Sequence, residues 1–129
     1  MKRSQRGGFT LVEIMIVVSI IALLAAIAVP GFLRARKRSQ ASRVLEDLRL
    51  LDAAVELYAC EKSKPSGTAL SFSDLQPYLK AKTVLYNTGR NVLGNRYRNF
   101  TVDQYPRVPT NTRNTLSDVA DTDFWSPYQ

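Results

Sequence analysis

The chain has 129 residues, a formal net charge of +7, no histidine and a single cysteine. A chain of this size supports one small core at most. Without histidine it lacks the side chain that most often moves protons or binds metals near neutral pH, and one cysteine excludes an intramolecular disulfide. It also shows no glycine-rich phosphate loop and no nucleophile and base pair that the sequence could specify, so the composition argues against an enzyme.

A short basic leader containing Lys2, Arg3 and Arg6 stops at Gly7-Gly8, and the apolar run FTLVEIMIVVSIIALLAAIAV follows from Phe9 to Val29. As a helix that run matches the ~20 residues needed to cross a hydrocarbon core of ~30 Å. One carboxylate, Glu13, lies inside it. An acid about one turn into such a helix costs on the order of 2.5 to 3.5 kcal/mol, so it reads as functional and calls for a partner. In an ordinary secretory signal the small-residue cleavage site follows the apolar region, and cleavage removes that region. Here the small pair precedes it, so a cut after Gly8 leaves the apolar helix as the new N-terminus, beginning at Phe9. The alternative is an uncleaved signal anchor in which Gly8 is merely a flexible leader residue.

Gly-Gly followed by FTLVEIMIVVSIIALLAAIAVP closely resembles the class III signal of type IV pilins and of type II secretion pseudopilins, over Arg6 to about Leu33. The resemblance implies that Gly8 precedes the cut made by prepilin peptidase and that the freed amine of Phe9 is N-methylated. It implies that Glu13 is the glutamate thought to pair with the N-terminal amine of a neighbouring subunit, and that Pro30 is the helix-distorting proline. The physics agrees for Glu13, because a carboxylate in hydrocarbon stays ionised only beside a cation. Glu13 also lies four residues after Phe9, where it could reach that amine or cap free N–H groups within its own helix. Thr10 and Ser19 need no special role, since such hydroxyls bond back to carbonyls one turn earlier. Pro30 with Gly31 breaks or kinks a helix, or ends the span; in the family the helix usually continues.

From Phe32 to Cys60, Ala41, Val44, Leu45, Leu48, Leu51, Val55 and Tyr58 recur at spacings of three and four, which predicts an amphipathic helix. Leu50, Ala54 and Leu57 widen the stripe, as expected under a second layer of protein. Helix is therefore expected from about Phe9 to about Glu61, ended by Lys64-Pro65-Ser66-Gly67. Next, Ser73 to Leu79 reads as a short helix opened by a capping box, with Pro77 near its first turn. Thr83 to Tyr86 and Tyr97 to Val102 are β-rich and separated by turn formers, which predicts two or three short antiparallel strands. One helical turn is expected near Leu116, and Phe124, Trp125 and Tyr128 are expected as anchors. The expected fold class is α+β, pilin-like. Its parts are a leader at 1–8, a membrane and assembly half-helix at 9–30, an amphipathic half-helix at 31–62, and a small β-rich head at 63–129.

The resemblance also implies a structural function: a precursor that is processed, methylated and polymerised into a type IV pilus or a type II secretion pseudopilus. Its partners would be itself and related pilins or pseudopilins, the prepilin peptidase and methyltransferase, an inner-membrane platform protein, and membrane lipids. The precursor would cross the bacterial inner membrane once with its head outside the cytoplasm, before joining a periplasmic pseudopilus or a surface pilus. The alternatives are a signal-anchored protein with an extracytoplasmic binding head, and a minor pseudopilin of a DNA-uptake filament. The head matches the pseudopilin and short-pilin branch through LGN before an aromatic and the ending FWSPY, and it lacks the C-terminal disulfide loop of many adhesive pilins.

Cys60 is expected to be a small buried apolar residue. Loss of Lys2, Arg3 and Arg6 leaves a charge of +4 from the +7 of the precursor. Arg34, Arg36, Lys37 and Arg38 place a second basic cluster just past the apolar run, suited to anionic headgroups or to Glu46, Asp47 or Asp52 of a neighbour. Arg90, Arg96, Arg98, Arg107 and Arg113, with Tyr97 and Tyr105, resemble a nucleic-acid surface in composition only; solvated arginines are the expectation, and nucleic acid is not expected as a partner. Asp118, Asp121 and Asp123 are weak candidates for calcium, but their spacing is not that of an EF-hand loop, so no metal or cofactor is expected.

Overall fold

The computed structural model describes residues 7–129; the leader expected at 1–8 lies outside them except for Gly7 and Gly8. The chain divides into two compact units between Ala35 and Arg36. A single helix, α1, Leu11–Glu61, contributes to both, with Pro30 inside it.

In the first unit every residue from 7 to 35 is exposed. Among the described residues, sixteen of the 21 exposed large apolar side chains lie between Phe9 and Leu33. This part of α1 is long and apolar enough to cross a membrane.

The second unit is built on the rest of α1, where Ala41, Val44, Leu48, Leu51, Ala54 and Val55 are buried at the predicted spacing. Leu50 and Leu57, expected to widen that stripe, are instead 48% and 55% exposed. The remaining chain folds over the stripe, adding Leu75, Leu79, Leu85, Tyr97, Phe100, Val108, Leu116, Trp125 and Tyr128 to one core. Each large side chain so buried stabilises the fold by about 1.5 to 3 kcal/mol before entropy is counted. The expected anchors Trp125 and Tyr128 are core residues, with Phe124 packed edge-on against Trp125.

Strand content is smaller than the β-rich runs suggested. One antiparallel pair forms, β1 Ala69–Leu70 against β2 Phe100–Thr101, with Ala69 opposite Thr101 and Leu70 opposite Phe100. Asn99 and Asp103 flank β2 with φ of 61° and 62°, which bends the backbone out of the ladder on both sides and cuts the expected Tyr97 to Val102 strand to two residues. The expected strand at Thr83 to Tyr86 is overturned: Val84–Thr88 is helical, α3. The Thr83 hydroxyl accepts the Tyr86 N–H at 3.1 Å, and left-handed Gly89 closes the C-terminus with its N–H on the Leu85 carbonyl at 2.8 Å. A Cβ on Gly89 would also crowd the Phe72 ring at 3.2 Å, so both the backbone angle and the tight contact favour glycine there.

Between these elements lie α2, Phe72–Leu75, and a 3-10 turn at Gln76–Tyr78 that contains Pro77. The capping box opens two residues earlier than expected, on Ser71 instead of Ser73: the Ser71 N–H donates to Asp74 Oδ2 at 2.8 Å and its hydroxyl to the same oxygen at 2.6 Å. The helical turn expected near Leu116 is α4, Thr110–Thr115, which ends on buried Leu116.

Candidate functional site

The site begins where α1 begins. The Thr10 N–H donates to Glu13 Oε2 at 2.9 Å, and the Glu13 N–H donates to Thr10 Oγ1 at 3.3 Å. This is a reciprocal capping box: the hydroxyl and the carboxylate each satisfy a backbone donor that the helix leaves unpaired. Thr10 therefore has a role that the sequence reading denied it. Ser19 behaves as expected, its hydroxyl donating to the Met15 carbonyl at 2.7 Å. The box fixes the Glu13 carboxylate at the start of the apolar run and uses one lone pair of one oxygen. A carboxylate accepts about four hydrogen bonds in all, so the group retains capacity for a cation.

Gly7 and Gly8 are exposed, and a Cβ added at either meets nothing within 4 Å. Neither carries the left-handed backbone that would demand glycine on its own account. Packing within the chain thus gives no reason for the pair, which sits directly before Phe9, itself 87% exposed.

Past the apolar run, Lys37 Nζ pairs with Asp118 at 2.9 Å, with both side chains nearly half exposed. Such a pair contributes about 1 kcal/mol or less, but it ties the C-terminal segment to α1. Asp118, Asp121 and Asp123 do not converge. Asp121 caps the backbone N–H of Phe124 at 2.9 Å, and among the described residues no group of three His, Cys, Asp or Glu side chains is placed to hold a metal. The expectation for Cys60 is overturned as well: it is exposed, because α1 at this point turns it away from the stripe that contains Val55 and Tyr58.

Two acids proposed for contacts with a neighbour are engaged inside the unit. Asp47 accepts a hydrogen bond from the buried Tyr97 hydroxyl at 3.1 Å, and Asp52 from that of Tyr128 at 3.4 Å. Burial raises the Asp47 carboxyl above its ordinary range, with the Tyr97 bond lowering it in part and Glu46 raising it further. Burial likewise pushes the Tyr97 hydroxyl well up, reinforced by the Asp47 charge. A tyrosine fifty residues away from its acid in sequence leaves no local signal, so this pair was illegible from the chain alone.

Comparison with known proteins bears on this same N-terminal region. Residues 3–29 match the model of the prokaryotic N-terminal methylation motif. The chain is 45% identical over 62 residues to the type IV major pilin protein PilA of Myxococcus xanthus, covering 48% of this chain and 28% of that protein. It is 33% identical over 64 residues to the type II secretion system core protein G of Klebsiella michiganensis, covering 50% and 45%. It is 48% identical over 54 residues to the type IV major fimbrial protein FimA of Dichelobacter nodosus, covering 42% and 35%. The matched stretch thus spans less than half the length of each of these relatives. No solved structure matches the chain.

Proposed function

We propose that this chain, whose N-terminal motif is similar to that of type IV pilins and type II secretion pseudopilins, belongs to their superfamily and is the precursor of a structural filament subunit. One observation carries the proposal: an apolar helical run exposed along its whole length, with a carboxylate held at its first turn. Exposure on that scale is intolerable for a monomer in water and is relieved first by a bilayer, then by other copies of the same helix.

In this reading the precursor sits in the bacterial inner membrane with its head outside the cytoplasm. Prepilin peptidase cuts after Gly8, where the absence of a side chain at an exposed position lets the peptidase close on the backbone. The freed amine of Phe9 is methylated and keeps its positive charge. Glu13 then offers its remaining acceptor capacity to the amine of a neighbouring subunit, which sets the register of the next helix. Association of the apolar runs and of the charge pair together drives polymerisation into a pilus or pseudopilus. The basic cluster past the run meets lipid headgroups before assembly and neighbouring acids after it.

The test is mass spectrometry of protein recovered from membranes of cells that contain the peptidase. The mature chain should begin at Phe9 and carry one N-terminal methyl group, and Gly8→Asp should leave the leader in place. A wild-type chain that keeps its leader in those cells would overturn the proposal and leave a signal-anchored protein.

A further inference from the structure

The fold gathers arginines that are scattered in sequence onto one face of the head. Two adjoining depressions, of about 400 and 370 Å³, share Arg96, Arg98, Pro109 and Thr110. Arg90 completes the first, and Arg107 and Arg113 the second. Neither is lined by an Asp or Glu side chain, and among the described residues none of the five arginines forms an ion pair. Arg90 also borders a depression lined by Glu46 and Asp47, and its guanidinium donates to the Gly94 carbonyl at 2.7 Å. Arg96, Arg98, Arg107 and Arg113 share no depression with an acid, and four such groups on one small face repel one another, so the arrangement costs stability unless an anion answers it.

The loop that carries three of them is built to hold its shape. Asn91, buried at 2% exposure, accepts the N–H groups of Leu93 and Asn95 on its side-chain oxygen at 3.0 Å each. Its amide donates to the hydroxyl of buried Thr112 at 2.7 Å, and the Asn95 amide donates to the same hydroxyl at 2.9 Å. This buried network fastens the arginine loop to α4, which contributes Arg113, so the face is pre-formed.

We propose that this face binds duplex nucleic acid through its phosphate backbone. Arginine forks match phosphate oxygens bidentately, and the Asn95, Thr110 and Asn111 side chains that line the first depression add neutral donors. Tyr97 is buried and Tyr105 lines neither depression, so no aromatic ring is offered for base stacking; contact is to backbone and independent of sequence. A lipid surface fits less well, because none of the exposed large apolar side chains lines either depression to act as an interfacial anchor. A protein partner fits less well for the same reason, since its interface would need a buried apolar centre. The proposal is independent of filament formation, and either can fail without the other.

The test uses the full chain in nanodiscs of neutral lipid and a fluorescent DNA duplex, with binding read by anisotropy across a salt series. If each arginine meets one phosphate, the slope of log affinity against log salt is about −4.5, so a fourfold rise in salt weakens binding by about 500-fold. The double variant Arg96→Gln, Arg98→Gln should bind at least about tenfold more weakly, with a slope shallower by about 2. The charge-matched pair Lys64→Gln, Lys80→Gln, on other loops, should bind as the parent does. No duplex binding at low salt, or equal weakening by both pairs, would overturn the proposal. So would displacement of the duplex by polygalacturonate at equal charge, or preferred arginine-dependent binding to anionic vesicles, which would assign the face to a carboxylate polymer or to lipid.

Discussion

Residues 11–35 and 36–61 share one helical backbone, yet what limits their sequences differs. In the first stretch every side chain is exposed, so a change from leucine to valine or isoleucine there disturbs no buried packing within the chain. In the second, Ala41, Val44, Leu48 and Leu51 have no exposed surface at all, and each must fit the side chains folded over it. A helix can therefore be constrained from within, by its own core, or from without, by what it will meet later. On the proposed function Glu13 belongs to the second kind, because its capping box with Thr10 would be served by an aspartate or glutamine in water, whereas the proposed contact with a buried neighbouring amine needs a charge.

The largest effect that would break this comparison is at Glu13. Glu13→Val should leave cleavage and insertion intact, because valine removes the cost of placing an acid in hydrocarbon. Assembly should fail, since the amine of each neighbour then lies buried without its counter-charge, at a cost of roughly 3 to 5 kcal/mol. Counting sheared filaments against membrane-bound protein, in cells lacking the wild-type subunit, separates the two steps. Normal filament yield would mean that the carboxylate is only a helix cap.

Cutting the molecule where its compact units meet sharpens the same contrast. A fragment of residues 36–129 keeps the buried stripe and the whole core and loses the exposed run, so it should be soluble and monomeric by light scattering. Stable oligomers of the fragment at micromolar concentration would show that the heads themselves drive association.

Single truncations test it residue by residue. Leu48→Ala should destabilise the head by about 2 to 5 kcal/mol, through lost burial and the cavity left behind. Leu24→Ala, in the exposed run, should change head stability by less than about 0.5 kcal/mol. The lone tryptophan, Trp125, is fully buried in the head core and reports unfolding by fluorescence in both variants of the full chain. Equal losses would mean that the head draws on the apolar run after all.

The same division explains what could be read in the chain. Periodicity located the buried stripe because a helix repeats every 3.6 residues whatever covers it, and the leader pattern singled out Gly8, Phe9 and Glu13 as candidates because that signal is contiguous. The head was harder. Thr83 to Tyr86 has the composition of a strand, but preference for strand reflects a sheet to join, and here a threonine cap and a left-handed glycine bracket the segment into a helical turn. Leu50 and Leu57 sat at plausible stripe positions, yet the covering layer does not extend that far around α1. The arginine face and the Asp47 to Tyr97 pair depend on contacts between distant segments, which composition does not encode.

The smallest effect is at that pair, and it concerns whether the stripe of α1 carries a cost at its edge. Half-buried Asp47 has its carboxyl raised above the ordinary value of 3.8 because burial disfavours its charge, Tyr97 only partly offsetting this and Glu46 adding to it. A raised folded value means that the folded state holds the proton more tightly than the unfolded chain. The contribution of Asp47 to stability is therefore greatest below about pH 3.8 and is lost as pH rises through the folded value, leaving a constant penalty at neutral pH. Asp47→Asn removes the charge but keeps an oxygen that accepts the Tyr97 hydroxyl. It should stabilise the head at pH 7 by less than about 1 kcal/mol, since water screens a group this exposed, and the gain should shrink towards zero below about pH 3.8. Glu61 and Asp74 have lowered values and shift stability with pH in the opposite sense, so variant and parent must be compared at each pH. Chemical denaturation from pH 3 to pH 7 makes the comparison. A loss at pH 7 would show instead that the charge-assisted bond to Tyr97 outweighs desolvation, and that this acid is part of what holds the head to its helix.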